Sequence, residues 1–216
     1  MEIKSEKGEV LAILHINSNQ ELNAIDSLIR ELRPGMGKGI YIADEQKISQ
    51  QTNYEAIPWQ EGIDALKAKV ALWEPVFPVH ADVLDIQVYY GFDNLTQEEI
   101  NEMAVESEKT GGNVVRDLKP NDTLVGMSLR CRQDEHTFEL RIFGTTKSRI
   151  HVPELQQGMI ENLMIRANEA VYVGNTDKQQ LIWAEVGPSR GKALQYELIA
   201  EQNNRDWLIA LAGSLA

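Results

Sequence analysis

Cys131 is the residue whose setting most directly suggests catalysis, because the only cysteine of the chain lies between Arg130 and Arg132. Neighbouring cations stabilise a thiolate, which is the nucleophilic form of cysteine. If this segment is a β-strand, however, both arginines project to the face opposite the sulfur. We therefore predict that Cys131 packs as a small buried hydrophobe and does not act as a nucleophile.

Two glycine-containing segments carry residues that could hold an anion. Gly35–Gly39 follows a predicted helix and enters a strand, whereas a phosphate loop leaves a strand and opens a helix, so we interpret it as a helix terminator. Gly144–Arg149 lies between a predicted strand and a predicted helix. It offers Lys147, Ser148 and Arg149 as anion ligands. The alternative is a solvated connector.

His80, Asp82 and Asp85 are spaced like part of a metal or acid–base site. On an extended backbone His80 and Asp82 share a face and Asp85 points to the other. The remaining histidines form no pair at helical spacing, and the single cysteine excludes a multi-cysteine zinc site. We predict no metal, no cofactor and no catalytic residue, although a site assembled from distant segments stays an alternative.

Charge favours a protein partner over nucleic acid. The 216 residues include 33 acidic and 21 basic side chains, for a net charge of -12 that is spread along the chain. Such a surface repels phosphate backbones. The longest apolar runs fall short of the roughly 20 residues that span a bilayer, and the charged N-terminus is unlike a secretory leader. We expect a cytoplasmic protein, with no nucleic acid and no membrane as partner, whose profile fits bacterial immunity proteins or secretion chaperones.

An acidic helix is the most distinctive surface feature that the sequence predicts. Glu98, Glu102 and Glu106 recur every four residues, and Glu99 lies beside them. Like charges at this spacing cost a few tenths of a kcal/mol per pair, so a basic protein partner that docks on them would relieve the repulsion. The alternative role of these residues is solubility, together with favourable charge at the helix N-terminus.

Two aromatic residues could extend a partner-binding surface. Tyr54 and Trp59 lie in or beside a polar stretch that lacks a clear period. Exposed aromatic side chains commonly anchor protein partners. The alternative is that both rings hold this stretch against the rest of the chain.

The N-terminal part of the chain is predicted to alternate strands and helices. Strands are expected at Val10–Ile16 and Gly39–Ala43, with a loop over 44–57. One helix should begin at Ser18, with Glu21 completing a capping box, and end before Pro34. A second helix should cover about 59–73. The prolines at 75 and 78 predict a division into an α/β segment, 1–78, and an α+β domain, 79–216; one continuous domain is the alternative.

The order of elements after residue 80 predicts an α+β fold. We expect a strand at Val83–Tyr90, a helix at Thr96–Lys109, a hairpin of Thr123–Arg132 with Thr137–Phe143, a helix over 153–166 and a strand at Ala170–Val173. This βαββαβ order predicts a ferredoxin-like arrangement. A turn over 133–136 would pair residue 131 with 138, 129 with 140, 127 with 142 and 130 with 139.

The C-terminal third is expected to extend a mixed or antiparallel sheet that has helices packed on one face. Its predicted meander comprises Gln180–Val186, Leu194–Ala200 and Trp207–Leu211, the last with a short helix as alternative. The leading functional hypothesis is a non-catalytic module that binds a basic protein. The alternatives are an enzyme or ligand-binding domain, with Arg130, Arg141, Lys147 or His80 as contacts, and a homo-oligomer paired through an edge strand.

Overall fold

Antiparallel strands make up most of the chain in the computed structural model, which describes residues 2–5, 7–8, 10–16, 31–145, 148–152, 159–174, 178–187, 193–201 and 205–216. The strands are β1 Glu2–Lys4, β2 Val10–Ile16, β3 Met36–Ile42, β4 Lys47–Asn53, β5 Ile57–Pro58, β6 Asp82–Phe92, β7 Val114–Asp117, β8 Pro120–Gln133, β9 His136–Thr145, β10 Ser148–Val152, β11 Met159–Ile165, β12 Asn168–Gly174, β13 Gln179–Val186 and β14 Ala193–Ala200. The helices are α1 Gly62–Lys69, α2 Gln97–Thr110 and α3 Arg205–Ser214, and a 3-10 turn covers Ala71–Trp73.

The chain divides into two compact units, each built from separate stretches of sequence. The larger unit contains 1–20, 58–88 and 126–216, and the smaller contains 21–57 and 89–125. The division predicted at residue 78 stays a prediction. None of the helices in the described ranges combines the length and apolarity that crossing a bilayer requires.

Strand pairing confirms the α+β fold class and the predicted hairpin. The largest sheet has the order β11-β12-β13-β14-β9-β8-β6-β5. In the β8–β9 hairpin Cys131 lies opposite Phe138, and Arg130 lies opposite Glu139, in the predicted register. The meander β11-β12-β13-β14 is antiparallel throughout. A second, three-stranded sheet pairs β1 with β2 antiparallel and β10 with β2 parallel.

The meander sheet of the larger unit buries side chains on both of its faces. On one face the rings of Trp183 and Tyr196 stack with centroids 5.0 Å apart, and α3 contributes the buried Leu208 and Leu211. We call this the helix-covered face. On the opposite face Ile3 of β1 packs with residues from three meander strands: Val171, Val173, Ile182, Ala184 and Ala193. The meander strand predicted at Trp207–Leu211 is wrong, because this segment belongs to helix α3, the alternative that the sequence left open.

Two further expectations about secondary structure are wrong. Of the helix predicted over 153–166, residues 153–158 lie outside the described residues, and Met159–Ile165 form strand β11, so the ferredoxin-like order is not confirmed. Apolar residues at 159, 160, 163 and 164 fit helical spacing, but pairing with β12 decides the conformation of this segment. The loop predicted over 44–57 contains β4, whose polar sequence lacks strand alternation. The helix predicted from Ser18 lies almost wholly outside the described residues.

The smaller unit consists of the antiparallel sheet β4-β3-β7 and helix α2, which packs on β3 and β7. The helix buries Met103 and Ser107 on its inner side. Gly39 lies in β3, where a Cβ would collide with the side chain of Leu95. Gly37 and Gly39 therefore permit close packing in a strand, and Gly35 precedes the strand with a φ of 81°.

The turn between β11 and β12 uses two residues in the left-handed conformation. Arg166 has a φ of 49° and Ala167 a φ of 62°, positions that favour glycine or asparagine in a two-residue hairpin turn. Arg166 is held there by its side chain, since Nε donates to Glu185 Oε1 at 2.9 Å. Its carbonyl oxygen also accepts from Asn168 Nδ2 at 2.8 Å. Ala167 has no comparable side-chain contact to compensate for its backbone strain.

We therefore expect Ala167→Gly to stabilise the protein by about 0.5–1 kcal/mol, because glycine adopts this conformation without a Cβ clash. Denaturant unfolding followed by circular dichroism measures the change. The control is Ala104→Gly within α2, which should destabilise by about 1 kcal/mol. A loss of stability in Ala167→Gly equal to that of the control would contradict the strain assigned to this turn.

Candidate functional site

Helix α2 is fixed at both ends by its own sequence. Thr96 is the N-cap residue, and its Oγ1 accepts from the Glu99 backbone N–H at 3.2 Å. The Thr96 backbone N–H donates in return to Glu99 Oε2 at 2.7 Å, which completes a capping box. At the other end Gly111 takes the left-handed conformation, with a φ of 71°. The helix predicted at Thr96–Lys109 is confirmed.

The outer face of α2 forms a shallow depression on the smaller unit. Its lining residues are Glu98, Asn101, Glu102, Val105, Glu106 and Lys109. Val105 is 49% exposed, with Glu102 one turn before it and Lys109 one turn after it on the same side of the helix. We call these six residues the outer face of α2. An exposed apolar side chain beside carboxylates suits a partner that is both basic and amphipathic.

The predicted glutamates differ in how they are used within the chain. Glu99 serves the cap, and its pKa is lowered chiefly by the hydrogen bond from the Thr96 backbone. Glu106 pairs with the guanidinium of Arg116. Glu98 and Glu102 make no hydrogen bond or ion pair within the described part of the chain. Of the four, Glu98 and Glu102 are therefore the carboxylates best placed to receive a partner's cations.

The two predicted aromatic anchors already make contacts within the chain. In the smaller unit the ring centroid of Tyr54 lies 6.0 Å from that of Phe92. In the larger unit Trp59 Nε1 donates to the Gly62 carbonyl at 2.9 Å, and the Trp59 backbone N–H donates to the Ile86 carbonyl at 2.9 Å. These contacts agree with the holding role that the sequence left open. A role of either ring in partner binding stays a prediction.

The predicted anion loop is placed only in part. Lys147 lies outside the described residues. Ser148 and Arg149 lie in β10, where they pair in parallel register with Ala12 and Ile13 of β2. A strand thus follows Gly144 where we expected a connection toward a helix. An anion site at these residues stays a prediction without a helix N-terminus to support it.

The other candidate residues for catalysis, Cys131, His80 and Asp82, do not form a common site within the described ranges. Burial raises the pKa of the Cys131 thiol to about 12, and the side chain is fully buried. His80 is exposed, and Asp82 lies 3.5 Å from the guanidinium of Arg132 across solvent-exposed surface. Within those ranges no three histidine, cysteine or carboxylate side chains gather as metal ligands.

A polar cluster on the meander sheet of the larger unit was missed by the sequence analysis. Four strands contribute one or two side chains each to the face opposite the helix-covered one. The members are Ser128, Glu139, Arg141, Gln180, Gln195 and Glu197. We call these six residues the polar cluster. The one signal in the sequence was Arg141, which we considered as a ligand contact on an open sheet face.

Arg141 joins the two carboxylates of the polar cluster. Its Nε and Nη2 donate to Glu139 at 2.7 and 3.0 Å, and its Nη1 lies 4.0 Å from Glu197 Oε2. Ser128 Oγ donates to Glu139 at 2.6 Å. Gln195 and Gln180 donate to Glu197 at 2.7 and 3.3 Å. Glu139 therefore has the closer cation, and Glu197 relies mainly on neutral amides.

This difference moves the two pKa values in opposite directions. Burial raises the pKa of Glu197, whose side chain is 12% exposed, and Arg141 and the two glutamines offset only part of that rise. Burial acts on Glu139 as well, but hydrogen bonds from Arg141 and Ser128 outweigh it and lower the pKa. Separated carboxylate pKa values occur in acid–base sites and also in structural ion networks.

Comparison with protein-family models, with curated proteins and with solved structures found no match. The geometry of the described residues and the charge of the chain are therefore the basis of the functional proposals.

The opposed pKa shifts predict the pH dependence of stability. Because the folded state raises the pKa of Glu197, stability present at low pH is lost as the pH rises through that pKa. Glu197→Gln removes this loss, so its melting temperature should exceed that of the wild type by more at about pH 7 than at about pH 4. Calorimetry at both pH values measures the difference.

Glu139→Gln is the matched control, because the folded state lowers the pKa of Glu139 and its stabilisation is lost as the pH falls. This variant should melt below the wild type at about pH 7, and the deficit should shrink at lower pH. A Glu197→Gln variant that melts below the wild type across the whole range would show that the Glu197 charge is stabilising, contrary to this account.

Proposed function

We propose that the chain is a non-catalytic interaction module that binds a basic protein through the outer face of α2. The observation that carries this proposal is the exposure of Val105 on the same side of α2 as Glu98 and Glu102, neither of which has a partner in the described part of the chain. An exposed apolar side chain on the same side of the helix as these carboxylates supports binding of a helix or strand that presents lysine or arginine beside an apolar residue.

The distribution of charge supports the same partner class. Many cations of the chain are neutralised by carboxylates of the same chain. Examples are the ion pairs Lys38–Asp117, Arg116–Glu106, Arg141–Glu139, Arg166–Glu185 and Arg205–Glu161. These pairs cancel locally, so the net charge of -12 resides on the remaining acids. Such a field steers a basic partner toward the protein and repels nucleic acid.

The place of action belongs to the same proposal. We propose a cytoplasmic module of bacterial immunity or chaperone type, which neutralises or accompanies its basic partner. The support is chemical. The positive charges of a basic protein repel one another. An acidic surface that covers them lowers this repulsion and keeps the partner soluble. No cofactor is required for this role.

The test compares two variants that change the net charge equally. Glu98→Gln with Glu102→Gln removes two acids from the outer face of α2, and Glu55→Gln with Glu135→Gln removes two exposed acids outside α2. Each tagged protein is used to capture partners from native lysate at about 50 mM and about 500 mM salt, with quantification by mass spectrometry. We expect the first variant to lose its basic partner about fivefold at low salt, from two ion pairs of about 0.5 kcal/mol each.

The second variant should retain the partner within about twofold, because it leaves the outer face of α2 intact. Val105→Ser tests the exposed apolar side chain at constant charge and should also weaken capture. Equal losses in the two charge variants would show non-specific attraction by net charge. Capture that survives high salt undiminished would remove the electrostatic basis of the proposal.

A second candidate function rests on the polar cluster. The contact between Arg141 and Glu197 is the loosest of the cluster, at 4.0 Å, and it joins a guanidinium to a carboxylate whose pKa is raised by burial. We propose as the alternative that the domain binds a small ligand, or acts on one, at residues brought together from distant segments. A zwitterion, with a carboxylate for Arg141 and an ammonium group for Glu197, is the class that fits this pair.

Thermal shift with free amino acids tests this second candidate. Binding should raise the melting temperature with dose. At a ligand concentration a hundred times the dissociation constant, the free energy of unfolding should increase by about 2.7 kcal/mol. Glu197→Gln should abolish the rise, and Glu98→Gln should leave it intact. A flat response in the wild type across millimolar concentrations would exclude this ligand class. Inorganic phosphate in the same assay tests the anion site predicted at Lys147, Ser148 and Arg149.

A further inference from the structure

Strand β11 is the edge strand at one end of the eight-stranded sheet, and none of the described strands pairs with its outer edge. Its seven residues pair with β12 in unbroken antiparallel register, from Met159 opposite Gly174 to Ile165 opposite Asn168. In a two-residue hairpin the residues that flank the turn exchange hydrogen bonds with each other. Ile165, Leu163 and Glu161 therefore bond inward to β12.

The alternate residues of β11 direct their backbone groups outward. By the same alternation, Ile160, Asn162 and Met164 present their N–H and C=O groups at the open edge. These three residues also have exposed side chains: Ile160 is 43% exposed and Met164 is 58% exposed. Unpaired backbone groups and exposed apolar side chains thus coincide on one edge, which is the arrangement that attracts another strand.

The usual protections of an edge strand are missing from β11. The opposite end of the sheet, β5, is two residues long and ends in Pro58. In contrast, β11 contains no proline, no lysine and no irregularity of register. Its single charge, Glu161, is held by Arg205 of α3 through two hydrogen bonds of 2.6 and 2.9 Å. The edge is consequently long, neutral and regular.

We propose that this edge pairs with the same edge of a second copy of the chain, so that β11 joins antiparallel to its counterpart across a twofold axis. In an antiparallel pair, residues with outward backbone groups must face one another. Centring the axis on Asn162 places Asn162 opposite itself and Ile160 opposite Met164 of the other copy. This register satisfies all of the outward groups, with about six hydrogen bonds, and a shift of two residues loses some of them.

The side chains are also complementary in this register. Ile160 packs on Met164 of the other copy at both ends of the pair, and Met159 lies opposite Ile165. Glu161 lies opposite Leu163, so no two carboxylates face each other across the axis. Because each copy carries a net charge of -12, the neutral edge is where a second copy approaches with least repulsion. This self-complementarity favours a second copy over an unrelated strand.

The pairing should give a reversible dimer. Seven residues make a strand about 23 Å long, and one strand edge buries less than the roughly 1,200–2,000 Å² of a standard interface. We expect a monomer–dimer equilibrium with a dissociation constant on the order of micromolar to tens of micromolar. Salt should leave dimerisation unchanged or strengthen it by screening the negative charge, whereas binding of a basic partner weakens with salt.

Sedimentation velocity of the full chain over rising concentration tests the proposal. Met164→Lys places a charge at the edge, and Asn162→Pro removes an outward N–H without removing a bond to β12. Both variants should stay monomeric where the wild type dimerises. Val186→Lys is the matched control, because Val186 is 59% exposed but lies in β13, an interior strand. This control should dimerise as the wild type does.

Amide hydrogen exchange locates the contact. In concentrated wild-type protein the amides of Ile160, Asn162 and Met164 should exchange several-fold more slowly than in dilute protein, with no change in Met164→Lys. A wild type that remains monomeric at millimolar concentration overturns the proposal. So does a dimer that persists in both edge variants, since it must use another surface. Either result leaves the binding of a basic protein by α2 untouched, because that surface is tested independently.

Discussion

The stacking of Trp183 on Tyr196 is the contact on which the larger unit depends. The rings lie nearly parallel, at 8°, on directly paired residues of β13 and β14, and both are fully buried. The Tyr196 hydroxyl also accepts from the Val76 backbone N–H at 3.2 Å, which ties the segment before β6 to the same face. A shift of one residue between these strands would place the two rings on opposite faces of the sheet and end their stacking, so the pair specifies the register of the meander.

Once this register is set, successive side chains along each strand point alternately to the helix-covered face and to the opposite face of the sheet. Glu197 follows Tyr196 and must point to the opposite face, where it meets Arg141 of β9. Cys131 is directed to the helix-covered face and loses any reactive character by burial. The partner-binding proposal, in contrast, rests on α2 of the smaller unit, where local capping signals and not sheet register place the carboxylates.

The elements that could be predicted from sequence are those specified by neighbouring residues. The β8–β9 hairpin and α2 carry their own turn and capping signals, and both appear as expected. Strand β11 was missed because its apolar residues fit a helix equally well and only its pairing with β12 decides between them. The polar cluster was missed because Arg141 and Glu197 are brought together by a pairing of strands far apart in sequence, which no local pattern reports.

The central functional claim is that a basic protein binds to the outer face of α2. The most direct measurement is hydrogen-exchange mass spectrometry of the full chain with its captured partner at low salt. The account predicts protection within Gln97–Thr110 that disappears when salt is raised, since exposed charge pairs are screened. Protection confined to the strands of the polar cluster, with α2 unchanged, would contradict it and point instead to the sheet as the binding surface.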